Sequence, residues 1–294
     1  MAQGEKIFLT RTYFFYKVIR FFVRYFPVKF NYAVANLLSD IFYAFPTDIK
    51  INVNYNLNKI YGLKKESVDV NKKAKQVFRN FAGYLIDLVC LDVLPQEEIN
   101  KFFLDIKGRE NLDAVKNKGT IIVTLHMGNW ELGGAFLTHN GYDFTAIYER
   151  HHDKNLNVFM NNIRLKHKFG VVDRRDFKTL IRAFNEKKNI AILGDIGYDS
   201  QTVMVDFLGV NYGLPAGPVV LALKYNIPII PAVCIKSGSG YKILVSPLLT
   251  MEKTGNIKND IQLNARKLAK VMEGFILKDP EQWFVFKRFD NNEK

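Results

Sequence analysis

Through the N-terminal third of the chain, apolar side chains recur at three- and four-residue steps, the spacing of one face of an α-helix. The stretch KIFLTRTYFFYKVIRFFVRYFPVKFNYAVANLLSDIFYAF opens the chain in this style. Residues 30–60 continue it, with Ala33, Ala35, Leu37, Leu38, Ile41 and Phe42 before Phe45-Pro46 breaks the run. Residues 68–91 predict a further helix, carried by Ala74, Val77, Phe78, Phe81, Leu85 and Leu88. From about residue 104 the texture changes. Short apolar runs at 120–125, 144–148, 189–193, 203–208, 227–235 and 241–245 read as strands, and helices are predicted between them at 131–139, 155–168, 176–187 and 215–225. Pro215 suits the first turn of the last of these. Residues 256–278 predict a final helix, followed by the aromatic tail EQWFVFKRF. Strand–helix alternation of this kind predicts an α/β layered fold with a mostly parallel sheet and flanking helices.

Charge changes the reading of the N-terminus. The chain has 294 residues, 42 Lys+Arg against 29 Asp+Glu, a formal net charge of +13, 24 Phe and 14 Tyr. Cationic, aromatic-rich proteins meet anionic surfaces such as a membrane leaflet, a nucleic acid or an acidic carrier. On a helix, Lys17, Arg20 and Arg24 fall within an arc of about 60°, with Phe14, Phe15, Val18, Phe21, Phe22 and Tyr25 around much of the rest. A cationic stripe opposite an aromatic face suits a helix lying in the headgroup region, and a core helix with one solvated face is the competing reading. Lys17, Arg20, Arg24 and Lys29 interrupt every window of about 18 residues that could span a bilayer, and no signal-peptide pattern is present. No zinc finger, RNP-type strand or basic region running into heptads points to nucleic acid. The expected organisation is a membrane-associated helical segment over 1–45 and an α/β domain over 46–294. Cys90 and Cys234 sit in apolar runs and read as buried, reduced thiols.

The densest polar feature is TIIVTLHMGNWELGGAFL at 120–137. An apolar strand ends at His126, and Asn129 is a good N-cap for the helix that follows. Ligand sites of α/β sheets form at the carboxyl ends of strands. His126 and Glu131, five residues apart, would diverge by about 140° on one helix. With His126 in the turn and Glu131 in the first helical turn, the carboxylate is expected to accept the imidazole Nδ1 proton, leaving Nε2 as a base. Gly128 and Asn129 lie where backbone N–H groups at the helix start could serve an oxyanion. There is no nucleophile elbow, P-loop, dinucleotide glycine pattern or His-Glu-x-x-His helix. His151 and His152 read as a solvated loop, and His126 has no second histidine or cysteine beside it to make a metal site.

His126-Met-Gly-Asn-Trp-Glu131 resembles the first motif of glycerolipid-type acyltransferases. It is most similar to the branch of lipid A biosynthesis (lauroyl/myristoyl) acyltransferases and phosphatidylinositol mannoside acyltransferases. Asn56-Leu57, Gly194-Asp195, VMVDFLG at 203–209, Pro215-Ala216-Gly217-Pro218 and Pro280-Glu281-Gln282-Trp283 extend the resemblance over most of the chain. The pattern departs at Gly197, where a second acid is expected and Asp199 is displaced, and at Met204, where some relatives carry a glutamate.

The resemblance implies transfer of a fatty acyl chain from a thioester donor to a hydroxyl of a (glyco)lipid acceptor, with His126 as general base and Glu131 as its orienting acid. It implies that Glu149, Arg150, Arg164 and Asp195 contact substrate, the arginines through donor phosphates or developing negative charge. The donor would be acyl-CoA or an acidic acyl carrier protein, as a substrate, with no resident cofactor or metal. A peripheral or monotopic place on the cytoplasmic face of the cell membrane follows from an acceptor dissolved in a bilayer. A lysophospholipid or mannosyl-lipid acyltransferase of the same chemistry, or a catalytically silent lipid-binding scaffold, are the alternatives.

Overall fold

The computed structural model describes residues 3–116, 118–150, 153–197 and 201–290, with side chains from Phe14 onward. Helices α1 (Gln3–Tyr25), α2 (Val28–Ala44), α3 (Asp48–Lys64) and α4 (Val70–Val93) come first. Pro27 and Pro46 fall at the breaks between the first three, as the missing N–H and fixed φ of proline require. Thr47 caps α3 by accepting from the Lys50 amide at 3.2 Å, and Asp69 caps α4 from the Lys72 amide at 3.1 Å. Helix α5 (Gln96–Asn100) leads into β1 (Phe103–Lys107), α6 (Arg109–Val115), β2 (Ile121–Thr124), α7 (Trp130–His139) and β3 (Phe144–Tyr148). Next come α8 (Lys154–Lys166), β4 (Gly170–Asp173), α9 (Phe177–Asn185) and β5 (Asn189–Leu193). A hairpin of β6 (Thr202–Phe207) and β7 (Val210–Pro215) precedes α10 (Gly217–Tyr225), β8 (Ile229–Ser237), β9 (Gly240–Val245) and α11 (Ile257–Lys278). A 3-10 turn at Pro280–Gln282 closes the series.

The main sheet has seven strands in the order β1-β9-β8-β2-β5-β3-β4. β8, β2, β5, β3 and β4 are mutually parallel, while β9 pairs antiparallel to β8 and carries β1 beside it. The run at 203–208 is a strand as expected, but it pairs only with β7 in a separate two-stranded sheet. β1, β4 and β7 were not among the expected strands. β4 is four residues long and half-buried, and gives no periodic signal of its own.

Alternate residues of the central strands feed two cores, as the two-residue period of a strand dictates. Ile122, Ile230, Ala232 and Cys234 join one core with Val23, Val89, Leu132 and Met160, so α1, α4, α7 and α8 cover that face. Ile121, Val123, Ile229 and Val233 join the other with Leu180, Val219 and Met272 from α9, α10 and α11. Burial on both faces is why β2 and β8 read as unbroken apolar runs.

Helix α1 is apolar on two sides. Tyr16, Ile19 and Val23 pack inward, whereas Phe14, Phe15, Val18, Phe21 and Tyr25 are exposed. Phe22 stacks on Phe26 and Phe26 on Phe30, which carries the aromatic row into α2, where Leu37, Leu38, Ile41 and Phe42 are also exposed. The cationic stripe is partly engaged by the protein itself: Arg20 pairs with Asp92 of α4 at 2.7 Å. Helices α1 and α2 share the core of the α/β part through Val23 and Tyr43. Among the described residues no helix is long and apolar enough to cross a membrane.

Candidate active site

β2 and β5 lie side by side in parallel register, Thr124 opposite Leu193, and the Gly194 amide donates to the Thr124 carbonyl at 2.9 Å. His126 and Asp195 each follow two residues beyond that last pair, so both emerge at the carboxyl edge of the sheet. The approach is close. A Cβ on Gly194 would sit 2.5 Å from Val123 Cγ1. Asp195 Oδ1 stands 2.8 Å from His126 Nδ1, and Asp195 Oδ2 accepts from the His126 amide at 2.9 Å. The Trp283 indole donates to the same Oδ2 at 2.8 Å, and the Tyr212 hydroxyl donates to the Asp195 carbonyl at 2.6 Å. Asp195 is fully buried and the His126 side chain is 17% exposed. Nε2 has no hydrogen-bond partner among the described residues.

The electrostatics follow from this packing. Burial alone would lower the His126 pKa, but the Asp195 charge and hydrogen bond outweigh it, and the net shift is upward. Burial would raise Asp195, yet His126, Trp283 and the backbone N–H hold its carboxyl below the usual range. The two shifts agree in sign with a proton shared toward the ring.

The expected pairing of Glu131 with His126 is therefore corrected: Asp195 occupies Nδ1. Glu131, in the first turn of α7, instead accepts both forks of the Arg164 guanidinium, from Nε at 3.1 Å and from Nη2 in a shorter contact. Both partners are buried, with 4% and 11% of their side chains exposed. The geometry decides this. Asp195 arrives from the neighbouring strand at the level of the ring, whereas Glu131 starts a helix and turns toward α8. Trp130, one residue earlier, stacks on Tyr84 of α4 at 4.8 Å, and its ring lies 5.4 Å from His126 in an edge contact.

The backbone donors are corrected as well. The Gly128 amide donates to the Gln282 carbonyl at 2.9 Å and the Asn129 amide to the Cys234 carbonyl at 2.8 Å, so neither is open to an oxyanion. Gly128 has φ +63°, and a Cβ there would lie 1.9 Å from the Cys234 carbonyl oxygen, so only glycine fits. Asn129 does cap α7, accepting from the Leu132 amide at 2.9 Å. Its Nδ2, wholly buried, has no partner among the described residues. The amides of Trp130 and Glu131, first in the helix, have no intrahelical acceptor.

Glu149 and Arg150 follow β3, on the same edge of the sheet. Glu149 accepts from Arg174 at 2.7 Å, and Arg150, 73% exposed, pairs with Asp173 at the end of β4. The structure thus gathers His126, Glu131, Arg164 and Asp195 into two buried pairs and leaves Glu149 and Arg150 as ion pairs on the outer strands. Trp283 and Tyr212, which hold Asp195, were not expected at the site. Only the Pro-Glu-Gln-Trp run hinted at the first. Cys90 and Cys234 are buried and free, and burial pushes both thiols up. His151, His152 and Asp199 lie outside the described residues.

The sequence profile described as "Bacterial lipid A biosynthesis acyltransferase" matches residues 2–289. A phosphatidylinositol mannoside acyltransferase of Mycolicibacterium smegmatis is 26% identical over 179 residues, which cover 59% of this chain and 57% of that protein. A lipid A biosynthesis palmitoleoyltransferase of Escherichia coli is 22% identical over 225 residues, 74% of this chain and 71% of that one. The crystal structure of a 1-acyl-sn-glycerophosphate (LPA) acyltransferase from Thermotoga maritima aligns with 82% of this chain and 98% of its own, at 12% identity and a TM-score of 0.34.

Proposed function

The chain belongs to the bacterial lipid A biosynthesis acyltransferase family, and on that premise we propose that it moves a fatty acyl chain from a thioester donor to a hydroxyl of a (glyco)lipid acceptor at a membrane surface. The observation that carries this reading is the His126–Asp195 pair, a largely buried imidazole with 17% of its side chain exposed, whose Nδ1 is held by a buried carboxylate at 2.8 Å. In that geometry Asp195 fixes the tautomer with the proton on Nδ1, so Nε2 is the free base. Nε2 takes the proton of the acceptor hydroxyl as its oxygen attacks the thioester carbonyl. The C–S bond then breaks, and the proton passes to the departing thiolate, giving an ester and a thiol. A thiolate leaves readily, so no covalent enzyme nucleophile is required. The open amides of Trp130 and Glu131 are the donors best placed for the oxyanion. Glu131 and Arg164 act as positioning residues that fix the start of α7.

Two further features support the reading. The exposed aromatic row of α1 and α2 suits a helix pair seated in the headgroup region, where buried apolar area and basic side chains both contribute. The relatives whose names specify an acceptor act on a phosphatidylinositol mannoside or on lipid A, so the acceptor class is a glycolipid, and the donor is acyl-CoA or acyl carrier protein. The test is lipid mass spectrometry of a host overexpressing the chain beside its His126→Ala variant. A lipid species heavier by one acyl group with the first and absent with the second is the expected result. The same species with both variants refutes the assignment of His126.

A further inference from the structure

A cavity of about 320 Å³ opens between α2, α4 and the turn joining β8 to β9, apart from His126. Its lining includes Lys236, Arg79, Asn36, Gln76, Asn80 and Gln282, and among the described residues it holds neither a carboxylate nor an aliphatic side chain. The α4 contributors recur at helical spacing, so one face of α4 forms the wall. Gly83 belongs to that face. A Cβ there would lie 3.4 Å from the Tyr32 ring and 3.7 Å from Lys236 Nζ, which keeps the floor narrow.

The charge is uneven. Arg79 donates to both oxygens of Asp40, and Lys75 also reaches Asp40 at 3.0 Å. Lys236 Nζ lies 4.0 Å over the Tyr32 ring and has no carboxylate oxygen within 4.0 Å among the described residues. Asp87, wholly buried and absent from the lining, gives its two oxygens to the hydroxyls of Tyr32 and Tyr241. Lys75 and Arg79 thus share Asp40, while Lys236 feels buried Asp87 only through space and has the Tyr32 ring as its nearest partner. The Gln282 side chain clamps the Lys236 backbone at both ends, accepting from its amide at 2.7 Å and donating to its carbonyl at 2.9 Å. Lys236 is therefore held by the same turn whose carbonyl accepts from Gly128 in the catalytic loop. Tyr32 and Asn36, one turn apart, are the α2 residues that line the cavity, whereas the exposed Leu37, Leu38 and Ile41 lie on other faces of that helix.

We propose that this cavity is a binding site for a phosphate-type anion, with Lys236 as its charged contact and the Asn36 side-chain amide as a neutral donor, the amides of Gln76, Asn80 and Gln282 being already engaged within the protein. An ammonium paired with phosphate makes charge-assisted hydrogen bonds, and amide NH₂ groups extend them without competing charge. A lipid headgroup and a free anion share this chemistry, and the two arms of the test separate them. Binding here needs neither His126 nor a thioester, so the proposal stands independently of the acyl-transfer reading.

Isothermal titration of the full chain with dihexanoylphosphatidic acid below its micelle concentration, and separately with inorganic phosphate, tests it. Saturable binding is expected, weakened about tenfold or more by Lys236→Gln and by Asn36→Asp, and largely retained by Lys236→Arg. Lys188→Gln, a distant surface change, is the control for general charge. Tighter binding of the lipid identifies a headgroup site, equal binding identifies a free-anion site, and both uphold the proposal. Asn36→Asp is isosteric on an exposed helix position, so it decides the matter if Lys236→Gln misfolds. Non-saturable binding, or affinity unchanged in folded Asn36→Asp protein, overturns it.

Discussion

Asp195→Asn removes one charge from the site and almost nothing else. The asparagine oxygen can take over the two contacts of Oδ2, from the Trp283 indole and the His126 amide, both within 2.9 Å. Its NH₂ then replaces Oδ1 opposite Nδ1, which forces Nδ1 to accept and puts the ring proton on Nε2. The base is lost to the wrong tautomer, and the imidazolium that forms on proton uptake loses its counter-charge. For charge centres about 4 Å apart at an effective dielectric of about 20, that attraction is about 4 kcal/mol, or about a thousandfold in rate. The figure sits inside the 10²–10⁴ range, roughly, of one acid–base contribution. Activity of the wild type should rise with pH through a His126 pKa above its ordinary value of about 6.5, because only the neutral ring accepts a proton. In Asp195→Asn burial still lowers the pKa while the raising partner is gone, so the midpoint should move below that value and the plateau should fall. Release of free thiol from an acyl-CoA, followed across pH 5–9 with purified variants, measures both. Wild-type turnover by Asp195→Asn, or a midpoint that moves in Glu131→Gln but not in Asp195→Asn, refutes the pairing.

Glu131→Gln should leave that midpoint in place but cost about 3 kcal/mol of stability, since it strands the buried Arg164 charge with one weakened acceptor; urea denaturation reads the loss, and an unchanged midpoint of unfolding contradicts the role given to the pair. His139 and His167 approach to 3.3 Å between ring nitrogens, and burial holds both below their ordinary value, with Lys168 adding to His139. Protons therefore bind the unfolded chain first, so stability is complete above about pH 6.5 and falls as the pH drops toward the folded-state values. Replacing both with glutamine should flatten the melting temperature between about pH 6.5 and 5. Phe21→Asp, on the 56% exposed outer side of α1, should weaken flotation with anionic vesicles while melting as the wild type does. Val23→Asp, two residues on and 4% exposed, should instead destabilise the fold by burying an unpaired charge. Equal melting temperatures for the two would remove α1 from the core.

Periodicity alone located most of the scaffold, because helical spacing in α4 and α11 and doubly buried runs in β2 and β8 are local consequences of where each side chain must point. The breaks at Pro27 and Pro46, the cap at Asn129 and the end of β2 just before His126 are likewise local, set by backbone chemistry within a few residues. Strands such as β4, short and half-buried, leave no such trace, and nothing local separates β6 from the strands of the main sheet. Partner choice at the site was beyond reach for a different reason. Glu131 is five residues from His126 and Asp195 is 69 away, yet the carboxylate that reaches Nδ1 is the distant one. Adjacency in a parallel sheet is fixed by which strands pair and in what register, and sequence distance does not encode either. The same is true of Gly128 and Asn129, whose amides look available at a helix start until the segments carrying Cys234 and Gln282 fold over them. In α1 the sequence supplied aromatic and apolar side chains over most of the helix outside the Lys17–Arg20–Arg24 stripe. Only docking against α4 decided that Tyr16, Ile19 and Val23 fill the core while Phe14, Val18 and Phe21 stay outside, because a helix can bury only the face that its neighbours cover.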